Sequence, residues 1–165
     1  MPAFQFCPWC AAPLVASTVD GEARQVCGAS CGFVHYDNPT PVVAAIVQLD
    51  DDVVLVRSRA WEAAWFGLVT GFLERDEAPD EAVVREVREE LGLEVTAPVW
   101  IGNYAFAPMN QVILAYHVVA RGEVVLGDEL AAFKRVPIAR LRPWAMGTGQ
   151  AVADWLARVR GGVVA

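Results

Sequence analysis

The chain has 165 residues, a net charge of −7 and 55% hydrophobic side chains. That length suits one domain with a small appendage, and the apolar content points to a packed core, away from disorder. The negative charge leaves no basic stripe to hold DNA, no run approaches a membrane span, and MPAFQFCPWC is no secretory signal, so a cytoplasmic protein without a membrane partner is expected.

The four cysteines, Cys7, Cys10, Cys27 and Cys31, all fall near the amino terminus as C-x2-C, a spacer and C-x3-C. In a reducing compartment clustered thiols favour Zn²⁺, whose tetrahedral preference four soft thiolates satisfy. Such a site is structural, because four protein ligands leave no position for substrate. The extra residue in CGASC keeps a second reading open, that of four reduced thiols in a ribbon that no longer binds metal. DNPTP at 37–41 reads as a connector, which divides the chain into a cysteine module at 1–37 and a larger domain at 38–165.

Beyond the connector, PVVAAIVQL reads as a buried strand and the acidic turn LDDD joins it to a hairpin partner at 53–58. RAWEAAWFG at 59–67 reads as a loop or irregular strand. A helix is expected from Pro79 to Leu91, with proline at its first position and Gly92 as its stop. Glu81 stands where a capping box needs it, but Ala78 offers no hydroxyl for the other half. Further strands are expected at 95–105, 111–120, 123–126 and 133–136, a helical turn at 137–142 and a closing helix at 148–160. The order gives an α+β fold, a mixed β-sheet layered between helices.

The helix carries unusual charge. At about 100° per residue, Val83, Val84, Val87 and Leu91 form one buried face, and Glu86, Glu89 and Glu90 share an arc beside it, with Ala82 leaving space within that arc. Like charges at this spacing repel one another, and most such runs are merely solvated. Here the arc borders the apolar face, and a glycine loop carrying Glu77 precedes the helix. Converging carboxylates hold hard cations such as Mg²⁺ or Mn²⁺, which can bridge an acidic protein to a phosphorylated substrate.

Gly71, five residues, Glu77, seven residues and then Arg85-Glu86-Val87-x-Glu89-Glu90-x-Gly92-Leu93 match the Nudix box, G-x5-E-x7-R-E-U-x-E-E-x-G-U, at every specified position. The chain thus resembles the Nudix hydrolases, whose α/β/α sandwich cuts diphosphate bonds with divalent metal. The cysteine module followed by CGFVHYDNPTPVVAAIV is similar to the zinc-ribbon NADH pyrophosphatases and to ADP-ribose or FAD pyrophosphatases.

The resemblance implies metal ligation by Glu86 and Glu90, with Glu89 as a further ligand or water contact and a backbone carbonyl of Thr70 or Gly71 completing that side. It implies that Glu77 supports the loop and that Arg85 orients carboxylates. A downstream acid usually joins the metal in this family. Glu129 is the candidate, with Asp128 and Glu123 behind it, and an ordinary solvated carboxylate is the competing reading. The general base is left among Glu89, Glu86 and Glu129.

The SQPWPFPxS signature of the NADH pyrophosphatases is absent from NYAFAPMNQVI at 103–113. The resemblance therefore implies the reaction and leaves NADH, FAD and ADP-ribose open as substrates. Phe72, Phe106 and Trp65 are candidates to stack a base, and Asn110 and Gln111 to bond a base or ribose. His35 and His117 receive no chemistry, and Trp144 and Trp155 read as core or dimer contacts. Relatives of this kind are often homodimers. The rival expectation is a nucleotide-sensing module, or an RNA- or protein-binding one that uses the ribbon with little hydrolysis. Removal of nicotinamide caps from RNA shares the chemistry of the first reading.

Overall fold

The computed structural model describes residues 4–61 and 65–161, so part of the expected loop at 59–67 lies outside the described residues. The residues fall into two compact units, 1–39 and 40–165. In the first, β1 (Leu14–Val19), β2 (Glu22–Cys27) and β3 (Val34–His35) form an antiparallel sheet in that order. Its β1–β2 turn uses Asp20 and Gly21, both at positive φ.

The second unit is built around β4 (Thr40–Leu49). Its interior residues are buried almost without interruption because both faces are covered. Val43, Ala45, Val47 and Leu49 point into one core, while Ala44 and Ile46 point into another. Around it lie β5 (Asp52–Ser58), β6 (Val69–Phe72), β7 (Glu94–Val95), β8 (Val99–Phe106), β9 (Gln111–Arg121) and β10 (Leu130–Pro137). Among the described residues only the β4–β9 pairing is parallel, and the remaining pairings are antiparallel, which makes the sheet mixed. The first half of β4 pairs with β6 and its last residues pair with β5, so β6 stands free to meet a helix. That helix is α1 (Pro79–Leu91), on the first core, while α2 (Gly149–Arg160) covers the second.

Local chemistry explains the joints. Asp50 at the β4–β5 turn has φ 55°, and Arg135 bonds the carboxylates of Asp50 and Asp52 at 2.9 Å each, relieving the acidic turn. Gly92 ends α1 with φ 65°, its N–H bonding the Arg88 carbonyl at 2.9 Å. Glu81 reaches back to the Ala78 N–H at 3.0 Å, supplying the half of the cap that alanine permits. Helix α2 is clamped to β8 by Tyr104, whose hydroxyl donates to Asp154 at 2.7 Å, and by Arg158, which donates to the Trp100 and Ile101 carbonyls.

Four expectations need correction. Residues 123–126 form no strand, because this segment's hydrogen bonds go elsewhere: the Val125 N–H bonds the Leu91 carbonyl and the Gly127 N–H that of Glu90, both at 2.9 Å. The loop thus satisfies carbonyls that the end of α1 leaves open. The strand expected at 95–105 is two, β7 and β8, parted around Pro98. Ala82 is fully buried in the first core instead of leaving space among the carboxylates, and Val84 is only half-buried. The helix is turned so that Ala82, Glu86 and Glu90, one i, i+4, i+8 row, run from the core to the wall of a cleft.

His117 is structural, its Nε2 lying 2.9 Å from Gln48 Oε1 and its ring against the buried Trp155. Among the described residues no helix is long and apolar enough to cross a membrane.

Candidate active site

A cleft of about 850 Å³ opens in the second unit. The apolar Val42, Leu68 and Ile113 line it, with Thr70 and Gly71 of β6 alongside. From α1 come Glu86, Glu89 and Glu90, and the loop before β10 brings Asp128 and Glu129. The sequence-predicted carboxylates therefore do converge. Glu123 is not among the lining residues.

Gly71 is what allows this approach. It stands opposite Val43 in the β6–β4 ladder, and a Cβ there would occupy the position of the Glu86 carboxyl group. The carboxylate of Glu86 thus lies directly on the β6 backbone, which only glycine leaves uncovered.

Arg85 organises the wall. Its Nε and Nη2 grip both oxygens of Glu77 at 2.7 and 2.9 Å, and its Nη1 bonds Glu86 at 2.7 Å and Glu89 at 3.1 Å. Nη2 also donates to the Phe72 carbonyl at 3.1 Å, which ties the loop after β6 to the helix. The bonds from Arg85, aided by the Glu74 N–H at 3.0 Å, hold the Glu77 carboxyl down at about 2. Arg88 turns aside to Glu94, so it neutralises none of the cleft's carboxylates.

Glu90 is left out of this network. Its Oε2 is buried and has no hydrogen-bond partner. Burial, then the neighbouring charges of Glu86, Glu129 and Glu89, pushes its carboxyl up to about 8. Burial also raises Glu86, although Arg85 opposes the shift. Glu89 is the most open of the three, with 60% of its side chain exposed, against 14% for Glu86. A buried carboxylate among like charges lacks its counter-charge, and oxygen-only donors of this kind suit a hard divalent cation.

Of the base-facing candidates, Phe72, Phe106, Trp65 and Gln111 line the cleft. Asn110 does not: it sits at φ 49° closing the turn between β8 and β9, and its carbonyl accepts the Thr40 N–H at 2.9 Å. Sequence reasoning missed Trp61, Met109, Trp144 and Met146, all of which line the cleft. Trp144, expected in the core or at a dimer contact, does pack on the second core, and it also stands edge-on to Trp65 at the cleft with ring centroids 6.3 Å apart. The WAMGTG loop carried a signal, since a Cβ at Gly149 would collide with the Trp144 carbonyl.

In the first unit the four cysteine sulfurs all lie within 4.8 Å of one another, with Cys7–Cys31 at 3.5 Å and Cys10–Cys27 at 3.3 Å. Tetrahedral zinc thiolates stand roughly 3.8 Å apart, so the cluster needs little adjustment to close on an ion. The clustered thiols share their protons: a backbone hydrogen bond from Cys31 is the main influence that lowers the Cys27 thiol to about 6, while Cys10 and Cys31 are held above the ordinary thiol range.

Comparison with known proteins places this architecture. Residues 38–156 match the family model for the NUDIX domain. The chain belongs to the NUDIX family. Residues 5–37 of this Nudix chain match the model described as Nudix N-terminal, a zinc ribbon. It is 31% identical over 122 residues to the NAD-capped RNA hydrolase NudC of Stutzerimonas stutzeri, covering 73% of this chain and 43% of that protein. The corresponding NudC of Pseudomonas putida strain W619 is 27% identical over 92% of this chain and 54% of its own length. The chain thus spans about half the length of the curated relatives it matches. Among solved structures, a NUDIX hydrolase from Nitrosomonas europaea superposes with a TM-score of 0.82 at 20% identity, over 96% of this chain and 94% of that one. That likeness supports the fold of the Nudix chain.

Proposed function

We propose that this chain hydrolyses the diphosphate bond of a nucleoside diphosphate joined to a second group, of the NADH, FAD or ADP-ribose class. It would do so with Mg²⁺ or Mn²⁺ and release AMP or another mononucleotide. Glu90 carries the reading: a buried carboxylate with no partner, beside Glu86 and Glu129, at the wall of a substrate-sized cleft. Glu86 and Glu90 would hold the ion, with Glu129 and Glu89 beside them and the Thr70 or Gly71 carbonyl on β6. When bound, the ion offsets the charge of the diphosphate and lowers the pKa of a water.

The chain's own residues then divide the work. Arg85, locked to Glu77, fixes Glu86 and Glu89 in orientation, as an outer support does around a metal centre. The side chain of Glu129 makes no ion pair among the described residues, which leaves its carboxylate the best placed of the three candidates to accept a proton from water. The water oxygen bonds to one phosphorus as the bridging P–O bond breaks, giving two phosphate monoesters. Phe72, Phe106, Trp65 and Gln111 face the nucleoside portions.

The names of the relatives, NAD-capped RNA hydrolases, favour an NAD-bearing substrate such as the capped end of an RNA. With Mg²⁺ or Mn²⁺, we expect metal-dependent release of monophosphates from at least one of NADH, NAD⁺, FAD and ADP-ribose, read by chromatography. No release from these, from diadenosine polyphosphates or from nucleoside triphosphates rejects the enzyme reading. Tight binding of ADP-ribose without cleavage identifies a sensing module instead.

The cysteine cluster supports a structural Zn²⁺ in the first unit. We expect about one zinc per chain by metal analysis. Its removal by a strong chelator should leave the far-ultraviolet helical signal intact, since α1 and α2 both belong to the second unit. Protein purified free of zinc, and indifferent to added zinc, would instead mean four idle thiols.

A further inference from the structure

The walls of the cleft differ in character. The wall from α1 and the loop before β10 is acidic, and the wall from the other side of the sheet is aromatic. Trp144 and Phe106 pack on the second core, under α2, across the sheet from the core that holds α1. Six carboxylates line the cleft: Glu74, Glu86, Glu89, Glu90, Asp128 and Glu129. Among the described residues Arg85 is the one cation lining it, and its guanidinium is committed to Glu77, Glu86, Glu89 and the Phe72 carbonyl. Arg59, whose Nε donates to the Asp128 carbonyl at 2.7 Å, does not line it.

Apart from bound metal, no uncommitted Lys or Arg among the described lining residues is there to receive a further phosphate. A free terminal phosphate would bring added negative charge against Glu74 and Asp128 with no Lys or Arg to meet it. The aromatic wall offers something different. Trp144 meets Trp65 edge to face, which leaves indole surface for a flat ring, and Met146 beside it is 63% exposed. The backbone of Trp144 is seated against Gly149, so the ring is held by the start of α2 and not by a loose loop.

We propose that Trp144 is a specificity-determining residue which, with Trp65, seats a planar ring of the substrate, so that the cleft takes diphosphates esterified at both ends and disfavours those ending in a free phosphate. This rests on the diphosphate-hydrolase reading above.

The test compares wild type with Trp144→Leu, Trp144→Phe and Met146→Arg on FAD, NADH and ATP. Trp144→Leu should raise KM for the dinucleotides about tenfold or more, the worth of a lost stacking surface, with kcat within about threefold. Trp144→Phe should restore most of the loss, and melting temperatures checked alongside separate a folding defect from a lost contact. Met146→Arg should raise the ratio of ATP to dinucleotide turnover, since it supplies the missing cation at an exposed position. The proposal is overturned if wild type cleaves ATP as readily as the dinucleotides, or if Trp144→Leu leaves KM unchanged. Should wild type cleave nothing, the hydrolase reading fails alone. Calorimetric titration of FAD and NADH with Mg²⁺ then decides: a Kd raised tenfold in Trp144→Leu supports the ring seat, and an unchanged Kd removes it.

Discussion

Glu90→Gln is expected to cut metal-dependent turnover by about two to three orders of magnitude, the rate equivalent of several kcal/mol of lost charge stabilisation. The same change should make the metal-stripped protein more stable at pH 8, because the wild-type fold buries this carboxylate without a partner. The direction follows from linkage. Burial first, and then Glu86, Glu129 and Glu89, places the folded-state pKa at about 8, above the ordinary glutamate value of about 4.5. Between these values the folded chain keeps a proton that the unfolded chain has released, so stability falls as pH rises through this window and levels off beyond it. Glutamine carries no charge and removes that slope. We expect the metal-free variant to melt about 5 °C above wild type at pH 8, a gain of a kcal/mol or two, and to show little difference at pH 4. Added Mg²⁺ should raise the melting temperature of wild type and not of the variant. Thermal scans with and without chelator read both effects, and full turnover by Glu90→Gln would remove the basis of the proposed site.

Gly71→Ala should lower turnover by about a hundredfold while leaving the fold in place. The added methyl group claims the space of the Glu86 carboxyl, so that side chain must turn away from β6 and break its 2.7 Å bond with Arg85. A displacement of about 1 Å at a reacting centre is enough for a loss of this size. The strand itself accepts alanine, and the cost in stability should be about 1–3 kcal/mol of overpacking. Adding Glu86→Gln to Gly71→Ala should cost little more, because both changes disable one carboxylate; additive losses would mean that Gly71 acts elsewhere. Steady-state kinetics of the two single variants and the double variant make the comparison.

Helix α1 was legible to the residue because its signals are local. Pro79 suits a first turn, Gly92 adopts the left-handed stop that its φ of 65° requires, and Val83, Val87 and Leu91 recur at helical spacing. The convergence of Glu86, Glu89 and Glu90 could be read from the same periodicity. The rotation of the helix against the sheet could not, so Ala82 was misjudged. Whether an alanine beside acidic residues faces solvent or a β-strand depends on how the helix docks on β6 and β4, which its own periodicity does not set. The segment 123–126 has the composition of a strand, but its backbone bonds go to the end of α1, a choice that only tertiary proximity makes. Trp144 was hidden for a related reason. An isolated tryptophan in a loop reads equally well as core, interface or cleft, and only the folded chain sets it opposite Trp65. The sharing of Arg85 among three glutamates was legible in part, since Arg85 and Glu89 stand four residues apart on the helix while Glu77 arrives through the loop.

The two bonds from Val125 and Gly127 to the carbonyls of Leu91 and Glu90 have a consequence for how this site can vary. They splice the helix to the strap that delivers Glu129, so the two acidic contributors to the cleft share a single mooring. A Cβ at Gly127 would strike the Glu89 carbonyl, which closes that junction to larger residues. Lengthening the strap by one residue would therefore unravel the helix tail and carry Glu129 off station in the same stroke, whereas the WAMGTG segment, anchored on α2, can be rebuilt for a new substrate without disturbing the carboxylates.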